Sequence, residues 1–101
     1  MIIAVDFDGT CVTHEYPKIG KNIGAEIVLK KLVEKEHKLI LYTMRDGEKL
    51  EEALTWFEKN NIEIWDANKN PTQSYWTRSP KVYAHFYIDD AAIGAPTIRR
   101  T

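Results

Sequence analysis

Asp6 and Asp8 stand two residues apart, at the end of the apolar run Met1-Ile2-Ile3-Ala4-Val5. Two carboxylates held this close at the end of a buried strand raise each other's pKa and disfavour the doubly ionised state. A divalent cation relieves that repulsion, and Mg²⁺ prefers oxygen ligands of this kind. A second acidic pair, Asp89-Asp90, follows a second apolar run, Phe86-Tyr87-Ile88. Two strands that each deliver carboxylates at their carboxyl ends look like the two halves of one metal and phosphate site. A hairpin turn at Asp8-Gly9 would leave Asp6 unexplained. An EF-hand loop fails because Gly9 arrives too early and no acidic residue stands at the twelfth position.

Other side chains fit the same chemistry. Thr43 ends the apolar stretch Ile40-Leu41-Tyr42, just before a helix start. There its hydroxyl and the free amides of the helix can hold a phosphate oxygen. Lys81 lies ahead of the strand that carries Asp89, placed to offset the charge of a nucleophile and a phosphate together. Arg78, three residues earlier, competes for that role. His14, His37 and His85 each stand alone; His85 is expected to face a helix from its strand. Trp65, Tyr75 and Trp76 are expected to pack.

The elements needed to position these groups can be read from periodicity. Ile2–Phe7 is apolar on both faces, as in a central parallel strand. The stretch 9–20 is irregular, with room for a short hairpin. From Asn22 to Glu36, Ile23, Ile27, Val28, Leu32 and Val33 form one helical stripe. Leu39–Thr43 reads as a second strand. Asp46 can cap a second helix that buries Leu50, Ala53, Leu54 and Phe57 and ends at Asn60-Asn61. Ile62–Trp65 reads as a short third strand, 66–80 as loop and Val82–Ile88 as the fourth strand, with an edge strand at Thr97-Ile98-Arg99. This alternation predicts a three-layer α/β fold with a small parallel sheet. Right-handed crossovers place the first strand centrally, with the second and third on one side and the fourth on the other. The switch point between the first and fourth strands is where such folds bind ligands, and both acidic motifs end there.

The bulk properties agree. A chain of 101 residues is one domain by default, and 44% hydrophobic with 29% charged is an ordinary globular mix. The net charge of −1 gives no reason to favour nucleic acid or membrane as a partner. Cys11 is the sole cysteine, so no intrachain disulfide forms, and a reducing, cytoplasmic setting is expected. Its place near the flap allows mild redox sensitivity. No segment resembles a signal peptide or reaches transmembrane length.

Taken together, these pieces resemble the haloacid dehalogenase (HAD) superfamily of phosphohydrolases. Asp6-Phe7-Asp8-Gly9-Thr10 matches its first motif, Ile40-Leu41-Tyr42-Thr43 its second, Lys81 its third and Tyr87-Ile88-Asp89-Asp90 its fourth. All four occur in order. The closer likeness is to small capless phosphatases of bacteria and phages, which also tend to carry a stretch like Asn68-Lys69-Asn70. The resemblance implies a Rossmann-like core and a Mg²⁺ cofactor. Asp6 would be the nucleophile that forms an aspartyl-phosphate, and Asp8 the acid and base. Asp8 would also bind metal through its backbone carbonyl. Thr43 and Lys81 would hold phosphate oxygens, and Asp89, with Asp90, would complete the metal site. Neither stretch between the motifs leaves room for a cap domain, so the site is open to bulky substrates, small or macromolecular, or is closed by a neighbouring subunit. The chain ends soon after Asp90, which points to a shortened carboxyl terminus or to an edge covered by a homo-oligomer. Two other readings stand beside this one. A phosphatase of nucleic-acid ends lacks support from a dense basic stripe. A non-catalytic metal- or phosphoprotein-binding module would have kept these side chains without turnover.

Overall fold

The structure is a computed structural model that describes the backbone of residues 1–92 and 95–100 and the side chains of residues 1–89. Five strands, β1 (Ile2–Val5), β2 (Lys38–Leu41), β3 (Asp66–Ala67), β4 (Phe86–Ala92) and β5 (Ala95–Arg100), form one sheet in the order β3-β2-β1-β4-β5. The first four run parallel, and β5 returns antiparallel to β4. β1 is thus flanked by β2 and β4, the arrangement that the alternation of elements predicts.

Both helices, α1 (Ala25–Glu34) and α2 (Gly47–Lys59), pack on one face of this sheet. Two successive right-handed crossovers moving in the same direction require that. Ile3, Val5, Leu39 and Leu41 meet Leu29 of α1 and Ala53, Trp56 and Phe57 of α2 in a single core. Phe7 joins it just beyond β1, 5.6 Å from the Trp56 ring and 5.8 Å from Phe57. Burial of Phe7 anchors the backbone between the two aspartates.

The opposite face is covered by an irregular segment, not by a helix. Val82 and Ala84 are buried, as are Ala4 and Ile40, which alternation turns to that side. Tyr87 donates its hydroxyl hydrogen bond to the Val82 carbonyl. Two buried amides hold the segment's limbs together. Asn70 donates to the Tyr83 carbonyl at 2.9 Å, and Gln73 accepts from the Tyr83 amide at 2.7 Å. Gln73 starts a short 3-10 turn, Gln73–Tyr75, inside a stretch that periodicity reads as loop.

Five details depart from the sequence reading. In α1 the inward residues are Ala25, Leu29, Leu32 and Val33, whereas Ile23, Ile27 and Val28 are 47%, 59% and 57% exposed. The helix starts after Gly24 at φ 93°, later than Asn22, and Leu29 rather than Ile27 faces the sheet. β3 lies at 66–67, beyond Ile62–Trp65, because the Ile62 amide donates to the Phe57 carbonyl and closes the end of α2. β4 begins at Phe86 and runs through Asp89 and Asp90, so the acidic pair lies within the strand. Tyr75 and Trp76 are 88% and 61% exposed instead of packed. His85 precedes β4, and its Nδ1 accepts the Ile2 amide at 2.9 Å. Among the described residues, no helix is long and apolar enough to cross a membrane.

Candidate active site

Parallel pairing aligns Val5 with Ile88, and the Asp6 amide donates to the Ile88 carbonyl at 2.9 Å. The next residues, Asp6 and Asp89, therefore follow side by side, Asp6 just past the end of β1 and Asp89 within β4 where its pairing with β1 ends. The turn after β1 is held by its own backbone. The amides of Thr10 and Cys11 both donate to the Phe7 carbonyl, and Gly9 at φ 83° donates to Val12. Thr10 Oγ1 lies 3.4 Å from Asp6 Oδ2 as donor. The Cys11 thiol donates to the Asp6 carbonyl at 3.2 Å.

Cys11 is fully buried. Burial first, then the negative charges of Asp6, Asp8 and Glu26, push its thiol far above the ordinary range. A thiol that cannot ionise is a poor nucleophile and a poor redox sensor, so Cys11 serves the turn and not the chemistry.

Asp8 is gripped by a residue that the motif reading passes over. Arg45 Nη2 donates to Asp8 Oδ1 at 2.7 Å and Nε donates to Oδ2 at 2.8 Å, a two-pronged pair. The remaining three guanidinium hydrogens reach the carbonyls of Pro17, Lys18 and Lys49. The guanidinium also lies 5.2 Å from the Phe7 ring centroid and 5.0 Å from that of Tyr16. Arg45 is only 2% exposed, yet every donor has a partner. The Asp8 hydrogen bond raises its pKa still further, so the charge is permanent. Arg45 thus ties three elements together: the turn after β1, the 13–20 flap and the first turn of α2. The clue in the sequence is an arginine two residues after Thr43, where a surface helix start has no need of a five-donor fork.

Thr43 lies two residues past β2. Its amide donates to Asn68 Oδ1 at 2.8 Å, and its hydroxyl accepts the Arg45 amide at 3.1 Å. Asn68, at φ 54° after β3, is a second positioning residue that the motif reading misses. The flap is pinned at its base, where the Thr13 amide donates to the Lys21 carbonyl. Gly20 there leaves no room for a side chain, since a Cβ would stand 1.9 Å from the Thr13 oxygen.

These elements enclose an open cleft of about 400 Å³ lined by Asp6, Asp8, His14, Tyr16, Thr43, Met44 and Arg45. The structure thus brings Asp6, Asp8 and Thr43 together and adds His14, Tyr16, Met44 and Arg45. Lys81 is exposed and does not line this cleft. Arg78 lines a separate depression with Asn68, Lys69 and Asn70. The side chain of Asp90 lies outside the described residues. Among the described residues no group of three or more His, Cys, Asp or Glu side chains is placed to hold a metal ion. Mg²⁺ sites, however, commonly use only one or two carboxylates, completed by water and substrate phosphate. The all-oxygen set of Asp6, Asp89 and the Asp8 carbonyl has the right chemistry for that ion.

No protein-family model matches the chain, and no curated protein matches it. Among solved structures, the chain is similar to that of a conserved protein coded by a locus of Bacteroides thetaiotaomicron, with 44% identity and a TM-score of 0.84 over 93% of this chain and 78% of that one. At that identity and coverage, the chain belongs to the family of this conserved Bacteroides thetaiotaomicron protein.

Proposed function

We propose that the chain is a Mg²⁺-dependent phosphatase with a capless, Rossmann-like HAD core, hydrolysing phosphate monoesters through an aspartyl-phosphate on Asp6. The observation that carries this reading is the parallel pairing of β1 with β4, which sets Asp6 beside Asp89 at the switch point, while Asp6, Asp8 and Thr43 line one cleft.

Asp6 attacks phosphorus, and the bond to the leaving oxygen breaks as that oxygen takes a proton from Asp8. Water then attacks the phosphoryl group, passes its proton to Asp8 and frees Asp6 and inorganic phosphate. Thr43 and the first amides of α2 hold phosphate oxygens. Asp6, Asp89 and the Asp8 carbonyl, with Asp90, would hold Mg²⁺, which when bound neutralises charge on the transferring phosphoryl group.

Arg45 shapes the role of Asp8. It takes one acceptor site on each carboxylate oxygen and leaves the other sites for a proton.

The test is hydrolysis of an aryl phosphate with and without Mg²⁺ by the native chain and by Asp6→Asn. Metal-dependent turnover that disappears in Asp6→Asn supports the reading. Absence of turnover in both refutes it.

A further inference from the structure

The cleft walls say what kind of alcohol leaves. The carboxylates of Asp6 and Asp8 and the Thr43 hydroxyl supply its polar side, suited to one phosphoryl group and a cation. Beside His14, two large, largely apolar side chains line the rest of it and are left in water. Met44 is 100% exposed, and Tyr16 is 52% exposed. Met44 cannot withdraw into the core. Its neighbours are pinned, because the Arg45 amide donates to the Thr43 hydroxyl and the Arg45 side chain is buried. A thioether held in solvent at a cleft mouth is an adaptable apolar contact, and sulfur pairs well with aromatic rings. The Tyr16 ring rests on the Arg45 guanidinium, which fixes it as a second apolar wall.

The same cleft has no lysine or arginine free for a second anionic group. Arg45 is the single Lys or Arg among the described residues that line it, and its five donors are all engaged.

We propose that the substrate is a phosphate monoester whose leaving alcohol is uncharged and carries an aromatic ring, seated between Tyr16 and Met44. This rests on the phosphatase reading and narrows it to a substrate class. Sugar bisphosphates and nucleoside diphosphates fall outside it.

Benzyl and methyl phosphate test the proposal, because their leaving alcohols are of similar basicity and differ mainly in the ring. The native chain with Mg²⁺ should prefer benzyl phosphate about tenfold in kcat/KM, the value of one partly buried aromatic contact. In Met44→Ala that preference should shrink to about twofold. Calorimetry with the non-hydrolysable benzylphosphonate and methylphosphonate reads the same contact without turnover. The benzyl compound should bind tighter, and Met44→Ala should erase the difference. Equal rates and equal affinities for the two compounds in the native chain overturn the proposal, as does a preference that Met44→Ala leaves intact. Loss of all metal-dependent turnover with a surviving benzylphosphonate preference would refute the phosphatase reading while upholding the aromatic seat.

Discussion

Arg45 and Asp8, 37 positions apart in the chain, meet through two parallel hydrogen bonds of 2.8 and 2.7 Å, with side chains 1% and 13% exposed. Removing one partner of a buried pair leaves an uncompensated charge, which costs about 3–5 kcal/mol. Arg45→Ala should therefore lower stability by roughly that amount in urea unfolding. It also frees the flap carbonyls of Pro17 and Lys18. Arg45→Lys should rescue little, because a point charge cannot supply the fork or the other three bonds. Full stability of Arg45→Lys would show that charge alone matters here.

Asp8 has two proton tasks of unequal difficulty. An alkyl ester needs a proton on its leaving oxygen, whereas a nitrophenyl ester does not. Asp8→Asn should lower kcat on benzyl phosphate by about 10²–10⁴-fold. On p-nitrophenyl phosphate the loss in aspartyl-phosphate formation, measured as a single-turnover burst, should be at least tenfold smaller. Equal losses on both esters would remove Asp8 from the acid role.

Cys11 adds a dependence on alkaline pH. Its folded-state pKa lies above the unfolded value of 9.0. The stability that this difference supplies is fully present below pH 9.0 and is lost as pH rises toward the folded value, since the unfolded thiol then ionises and the folded one does not. Above pH 9.0 the native chain should lose stability relative to Cys11→Ser by up to about 1.4 kcal/mol per pH unit. Iodoacetamide should modify the thiol only after unfolding. Rapid labelling of the native chain would contradict its burial.

Asn70 holds the segment that covers the second sheet face. It donates to Tyr83 and accepts both the amide and the hydroxyl of Thr72. Asn70→Ala leaves the Tyr83 carbonyl without this donor and should cost about 1–3 kcal/mol. Hydrogen exchange should quicken first across residues 70–85, before the helices. Uniform acceleration across the sheet would show instead that the segment does not open separately.

Much of this architecture could be read in the chain itself. Continuous apolar runs mark β1, β2 and β4, and the stripe of α2 is sound because Ala53 and Phe57 have no rival register. In α1 two stripes compete, and Ile23, Ile27 and Val28 look as apolar as Leu29 and Leu32. Only the fit against Leu39 and Leu41 decides between them, and that is tertiary information. The short β3 escaped because its residues, Asp66 and Ala67, carry no strand preference and pair only through their backbone. The site shows the same division. Asp6, Asp8 and Thr43 announce themselves by type and position at strand ends. Arg45 does not, because arginines are usually solvated and its partners lie at Asp8, Pro17, Lys18 and Lys49. Asn68 serves Thr43 through an equally distant bond.

The central place of β1 also sets a timetable. One of its edges is satisfied early, by β2 only 36 residues on; the other must wait for Phe86–Ile88, more than eighty residues later. As the chain emerges from a ribosome, residues 1–67 can assemble their helices and three strands while the far side of β1 still shows open backbone groups. The bond between the Asp6 amide and Ile88 is among the last to close. A nascent chain therefore holds no finished site. It spends that interval with an apolar strand edge bare, open to capture by another copy, until its own fourth strand arrives.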